Sequence, residues 1–238
     1  MSAEANTQNI AENKASILEL EAVVLGNKFR AYDHRSLIEE NRLMLLSNYT
    51  AAFAGNRQLA NMNTDAIFAN RIAFLESLST ENDVQTNYVN AQINKAMLDA
   101  LAHRAVLNAK VIEVSAKMAE INGQLIEVNR AIMEANAEIV AFNAAQIEAN
   151  SAMIEGDHGM AEATVESNAA VIAANAETIS ALNETAATNS SNLDEHIAKI
   201  LENRENISQN KAEISERRAD IVANRDKIAS NRTKIARG

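Results

Sequence analysis

The chain has 238 residues, a net charge of −10, no cysteine, no proline, only 6 glycines and 3% aromatic residues. The lack of cysteine excludes disulfides, thiolate nucleophiles and cysteine metal clusters, and the lack of proline argues for helices that run on with few breaks. Aromatics normally supply much of a compact core's buried area, so the expected core is thin, aliphatic and elongated.

The opening stretch, MSAEANTQNIAENK, has no basic segment followed by an apolar one, so no secretory signal is expected. No run approaches the ~18 apolar residues of a membrane-spanning helix, so no transmembrane segment is expected either. Localisation stays open between the cytoplasm and signal-independent export into a surface or phage-like assembly.

Residues 1–80 are predicted as N-terminal helices with a wide apolar face. Asn6, Asn13, Asn27, Asn41 and Asn48 stand on one seven-residue comb, with Leu20 and His34 at the missing beats, and Asn56, Asn63 and Asn70 follow on a second. Four residues after a comb position comes an aliphatic: Ile10, Ile17 and Leu45 after asparagines and Ile38 after His34. Alternating spacings of three and four define the a/d seam of a coiled coil; with the aliphatic at a, the asparagine is at d. Val23, Leu37 and Met44 on one side and Leu18, Leu25 and Leu46 on the other widen the stripe, which suits a helix packed against two or more neighbours.

Residues 81–155 are predicted as a long central helix. Its comb carries Asn87, Asn94, Asn108, Asn122, Asn129, Asn136, Asn143 and Asn150, followed by Ile126, Val140, Ile147 and Ile154 at a. EGDHG, residues 155–159, places glycines on either side of Asp157 and His158 and predicts a turn over 156–159.

Residues 160–238 are predicted as a second long helix ending in a basic coiled-coil arm. Asn168, Asn175, Asn189, Asn203, Asn210, Asn224 and Asn231 form its comb, beside Ile172, Ile179, Leu193, Ile200, Ile207, Ile214, Ile221, Ile228 and Ile235. From Ala131 to Ala198 there are eleven acidic residues and no Lys or Arg, whereas ten basic and six acidic residues follow from Lys199 onward. These blocks are either two solvated faces or a basic tail and the acidic middle on which it docks in another copy. Mixed signs, no interleaved aromatics and an acidic whole argue against nucleic-acid binding.

The comb slips by one residue between Asn48 and Asn56, beside Gly55, by three between Asn70 and Asn87, and by four between Asn150 and Asn168. Ser79 or Thr80 is a candidate N-cap for a helix with Glu81, Asn82 and Asp83 in its first turn. Two architectures fit: a chain folded back on itself in antiparallel helices, or one continuous parallel fibre in which the slips are stammers and stutters.

In all, 23 of 30 asparagines lie on these combs, which chance would spread over seven phases. The expected fold class is therefore all-α, with long helices in coiled-coil or helical-bundle packing. The expected assembly seam has amide layers at Asn13, Asn41, Asn94, Asn108, Asn122, Asn129, Asn136, Asn143, Asn150, Asn175, Asn203, Asn210, Asn224 and Asn231. Its aliphatic layers are Ile126, Ile147, Ile172, Ile179, Ile200, Ile207, Ile214, Ile221, Ile228 and Ile235. A buried amide left unpaired costs about 1–3 kcal/mol, so such a row is expected to face inward and meet matching amides or a bound guest, fixing register and strand number. The alternative is a wet asparagine stripe with the core formed on its flanks.

The Ile-x-x-Asn heptads VIAANAETI (171–179) and IASNRTKI (228–235) resemble the stalk segments of trimeric autotransporter adhesins. The resemblance implies three strands with asparagines at d and an anion held between them. The threonine that usually follows that family's asparagine is present at Asn6-Thr7 and Asn63-Thr64 and mostly absent elsewhere.

No metalloprotease, phosphate-loop, dinucleotide or nucleophile-elbow motif is present, so neither an enzyme nor a cofactor is expected. His34 and His196 stand on the comb in place of amides, and His158 lies in the predicted turn. The expected function is that of a structural subunit whose partner is itself, assembling into a fibre, filament or sheath. The alternative is a soluble helical-bundle adaptor or chaperone-like module.

Overall fold

The computed structural model describes residues 2–78, 83–156 and 163–237. Among them every regular element is helical: α1 (Ala3–Thr50), a π-helical segment (Ala51–Arg57), α2 (Gln58–Ser77), α3 (Asp83–Ile154) and α4 (Val165–Ile235). The protein is all-α. Ser2 caps α1, its hydroxyl oxygen accepting from the Ala5 N–H at 3.2 Å. No helix among the described residues is long and apolar enough to cross a membrane. The proposed caps at Ser79 and Thr80 and the Asp157–Gly159 part of the predicted turn lie outside the described residues. Gly156, at the end of the described stretch, has φ +101°, a left-handed value that glycine adopts without the cost of a Cβ.

The chain divides into two compact units, residues 1–57 with 159–219, and residues 58–158 with 220–238. In the first, α1 lies parallel to α4: Asn6 meets Val165, Asn13 meets Ile172, Asn41 meets Ile200 and Asn48 meets Ile207, a constant separation of 159 residues. Each helix buries about one position per heptad. On α1 this is the comb itself, with Asn6, Leu20, His34, Asn41 and Asn48 buried. On α4 it is the aliphatic row, with Ile172, Ile179, Ala186, Ile200 and Ile207 buried.

The one-residue slip has a structural cause. Across the π-helical segment the separation falls to 158, since Asn56 meets Ile214. A π-turn accommodates one extra residue within a helix, so α1 gains a residue that α4 lacks and the comb stays in step.

In the second unit, α2 runs parallel to the end of α4, Asn63 meeting Ile221 and Asn70 meeting Ile228. α3 folds back against α2: Asp65 pairs with Arg104 at 2.6 Å and Arg71 with Asp99 at 3.5 Å. α2 and α3 thus form an antiparallel hairpin, as in the folded-back architecture, and the chain is not one continuous parallel rod. α3 buries Val89 and Ala96 and half-buries Ile93 and Ala100. These lie on the face opposite its Ile/Asn stripe, at 100° per residue. Every residue from 119 to 151 is exposed.

Candidate functional site

The comb of α1 and α2 builds a repeating contact. A side-chain amide carries two N–H donors, and a helical carbonyl keeps a second lone pair after accepting its own i+4 bond. Eight asparagines use this match, donating from Nδ2 to main-chain carbonyls of α4. Asn6 bonds Val165 at 3.0 Å, Asn13 bonds Ile172 at 3.0 Å, Asn27 bonds Ala186 at 2.8 Å and Asn41 bonds Ile200 at 2.9 Å. Asn48 bonds Ile207 at 2.8 Å and Asn56 bonds Ile214 at 2.7 Å, while in the second unit Asn63 bonds Ile221 at 2.8 Å and Asn70 bonds Ile228 at 3.0 Å. The partner of each amide is a carbonyl of the a row rather than a second amide.

Each such bond contributes about 1 kcal/mol net, but the arrangement is not fully satisfied. Oδ1 of Asn6, Asn41 and Asn56, and Nδ1 of His34, are buried with no partner among the described residues. Leucine at these sites would bury apolar surface without that penalty. Along α1 each donor reaches a carbonyl of the parallel α4 at a constant offset of 159 residues.

Ion pairs flank the seam, Arg30 with Asp194 and Glu40 with Arg204, and Arg30 also donates to the Ser190 hydroxyl at 2.9 Å. These groups are partly exposed, so each pair contributes at most about 1 kcal/mol, while still favouring this alignment over its neighbours.

Of the expected amide layers, Asn13 and Asn41 lie in this seam. Asn94, Asn108, Asn122, Asn129, Asn136, Asn143 and Asn150 on α3 are exposed, as are Asn175, Asn203, Asn210, Asn224 and Asn231 on α4. Of the aliphatic layers, Ile172, Ile179, Ile200 and Ile207 are buried and Ile214, Ile221, Ile228 and Ile235 half-buried, whereas Ile126 and Ile147 are exposed. The structure adds Asn6, Asn27, Asn48, Asn56, Asn63 and Asn70 to the seam. Their signal was the comb itself; the carbonyl acceptors carry no signal in residue identity.

Among the described residues no cluster of three or more His, Cys, Asp or Glu side chains could hold a metal ion. In comparisons with known proteins, no family model, no curated protein and no solved structure matches the chain.

Proposed function

We propose that the chain is a structural subunit that self-assembles into a fibre, filament or sheath, with asparagine layers setting the register between helices. One observation carries the reading. The a row of α3 is bare, from 60% exposure at Ile126 through 69% at Met133 and 66% at Val140 and Ile147 to 85% at Ile154. This row lies on a 72-residue helix, about 110 Å long at 1.5 Å per residue. A continuous apolar stripe of that length on an isolated chain exposes far more than scattered surface leucines would, and such stripes mark interaction surfaces. The neighbouring asparagines repeat the spacing that meets carbonyls on α4, so the same stripe is equipped to choose an alignment as well as to bury area.

The test is electron microscopy of purified protein together with sedimentation at rising concentration. Fibres, or a growing series of oligomers, are expected. A monodisperse monomer at high concentration would overturn the proposal, and a compact dimer that neither grows nor polymerises would favour the adaptor reading instead.

A further inference from the structure

Helices α1 and α4 carry the same interrupted comb. Asn6, Asn13, Leu20, Asn27, His34, Asn41 and Asn48 of α1 correspond to Asn168, Asn175, Leu182, Asn189, His196, Asn203 and Asn210 of α4, always 162 residues later. The correspondence extends beyond the comb: Ile10, Ile17 and Ile38 match Ile172, Ile179 and Ile200, and Glu40 and Arg42 match Glu202 and Arg204. Leucine and histidine interrupt both rows at the same beats, so α1 and α4 are two copies of one heptad pattern.

The two copies are used on opposite flanks. α1 spends its d flank on α4, burying Asn41 and Asn48 and half-burying Leu37 and Met44 at g. α4 spends its a flank, burying Ile200 and Ile207 and half-burying Ile197 and Arg204 at e. In a ring of parallel helices each member shows d and g to one neighbour and a and e to the other. The α1·α4 pair is therefore a ring segment with two open ends. On α1 the a row is open, with Ile10, Ile17, Val24, Ile38 and Leu45 each about half exposed. On α4 the amide row is open, and Asn168, Asn175, Asn189, Asn203 and Asn210 are all exposed. Concave grooves run along the seam between these open rows. One of about 500 Å³ is lined by Val24 and Ala31 of α1 and by Asn189 and His196 of α4, and another of about 390 Å³ by Ile38 of α1 and His196 of α4.

We propose that a second copy of this chain closes the ring, its α1 seated against the open amide row of this α4 and the reverse contact made at the other end. Four parallel helices then surround the grooves. The inference rests on the self-assembly reading and names its first contact. The rule seen within the chain carries over unchanged. Asn13 donates to the carbonyl of Ile172, and Ile172 corresponds to Ile10, so Asn175 donates to Ile10 of the second copy. By the same step Asn189 donates to Val24, Asn203 to Ile38 and Asn210 to Leu45 of that copy. Corresponding residues stay level, so the ring closes without an axial shift.

Charge supports the same occupant. Within the chain Glu40 pairs with Arg204. The corresponding residues place Glu202 opposite Arg42 of the second copy, and one heptad earlier Glu195 opposite Arg35 of the second copy. All four side chains are exposed in the single chain.

Two double variants test the contact, E195R/E202R and R35E/R42E. Circular dichroism checks that each remains helical. In sedimentation at low ionic strength each alone is expected to associate at least about tenfold more weakly than the natural chain, since like charges then face one another at both ends of the ring. An equimolar mixture restores association, because every facing pair is again of opposite sign. If neither variant weakens association, or if mixing restores nothing, the ring is overturned. The self-assembly reading survives that result wherever the natural chain still forms fibres. If the natural chain is itself a monomer at high concentration, both fall.

Discussion

α1 and α3 carry the same Ile/Asn heptads and treat them in opposite ways. On α1 the amides are turned inward, and each donates to a carbonyl of a parallel neighbour. On α3 the amides and their aliphatic companions face outward along the whole helix, and the helix packs through Val89, Ile93 and Ala96 instead. The difference lies in what each helix is offered. α1 has a partner running in its own direction, whose isoleucines place a carbonyl within reach once per heptad. α3 is the returning arm of a hairpin, pinned to α2 by Asp65–Arg104 and Arg71–Asp99. Antiparallel to its neighbour, it turns a face with small alanines inward, where close approach is possible. In this chain the comb is buried on α1, against a parallel partner, and exposed on the returning α3.

Removing the donor breaks this contrast most severely. In Asn41→Asp the buried Nδ2–H that meets the Ile200 carbonyl is replaced by a carboxylate oxygen. At neutral pH the variant is expected to lose about 3 kcal/mol of stability in urea unfolding, the cost of leaving a charged group buried without a partner. Asn136→Asp, on the exposed stretch of α3, should stay within about 0.5 kcal/mol of the natural chain. The pH dependence has a definite sign. Once protonated, the carboxyl group introduced by Asn41→Asp donates to the carbonyl again, so folding raises its pKa above the ordinary value of about 4. The stability is then present below that ordinary value and is lost as the pH rises through the folded-state value. Equal effects at both sites would erase the distinction between the two helices.

The aliphatic row sharpens the contrast with a smaller effect. Ile200 is buried in the seam and Ile147 is exposed on α3. Ile200→Ala should cost about 2 kcal/mol, the low end for a buried isoleucine because a two-helix seam relaxes more readily than a closed core. Ile147→Ala should leave the unfolding of a dilute, unassembled chain within about 0.5 kcal/mol of the natural one. Under the proposed function it weakens assembly at high concentration, so the two variants separate folding from association.

Much of this was readable beforehand, for reasons that can be named. The absence of proline and the heptad spacing dictated helices, and the observed ends at Ser77 and Ile154 fall beside the LSTEND and EGDHG segments. The extra residue near Gly55 was visible as a slip in phase. The pairing of α1 with α4 was harder, because every helix carries a comb and the pattern does not say which two meet. The acceptors were invisible in principle, since a main-chain carbonyl is the same at every residue. The face used by α3 is not legible because Val89 and Ala96, with Ile93 and Ala100 beside them, form a weaker second stripe whose importance arises only from the hairpin. The duplicated interruptions at Leu20/Leu182 and His34/His196 were present in the sequence and are the signal that links α1 to α4.

The smallest expected effect concerns the π-helical segment. There α1 carries one residue more than the matching stretch of α4, and Asn48 and Asn56 are eight apart while their acceptors Ile207 and Ile214 are seven apart. If the segment exists only to absorb that residue, deleting Ala54 should remove it. Asn48 and Asn56 then fall one heptad apart, an α-helix continues through the site, and every amide keeps its carbonyl on both sides of the deletion. Stability should rise, by an amount on the order of 1 kcal/mol, because regular i→i+4 bonds replace a strained turn. Helix content by circular dichroism should be preserved or slightly increased. A clear loss of stability would show that the segment holds the seam by its own packing, through the stacked Tyr49 and Phe53 rings and Arg57 above Phe53, and that the slip in phase is a built feature rather than an accommodated one.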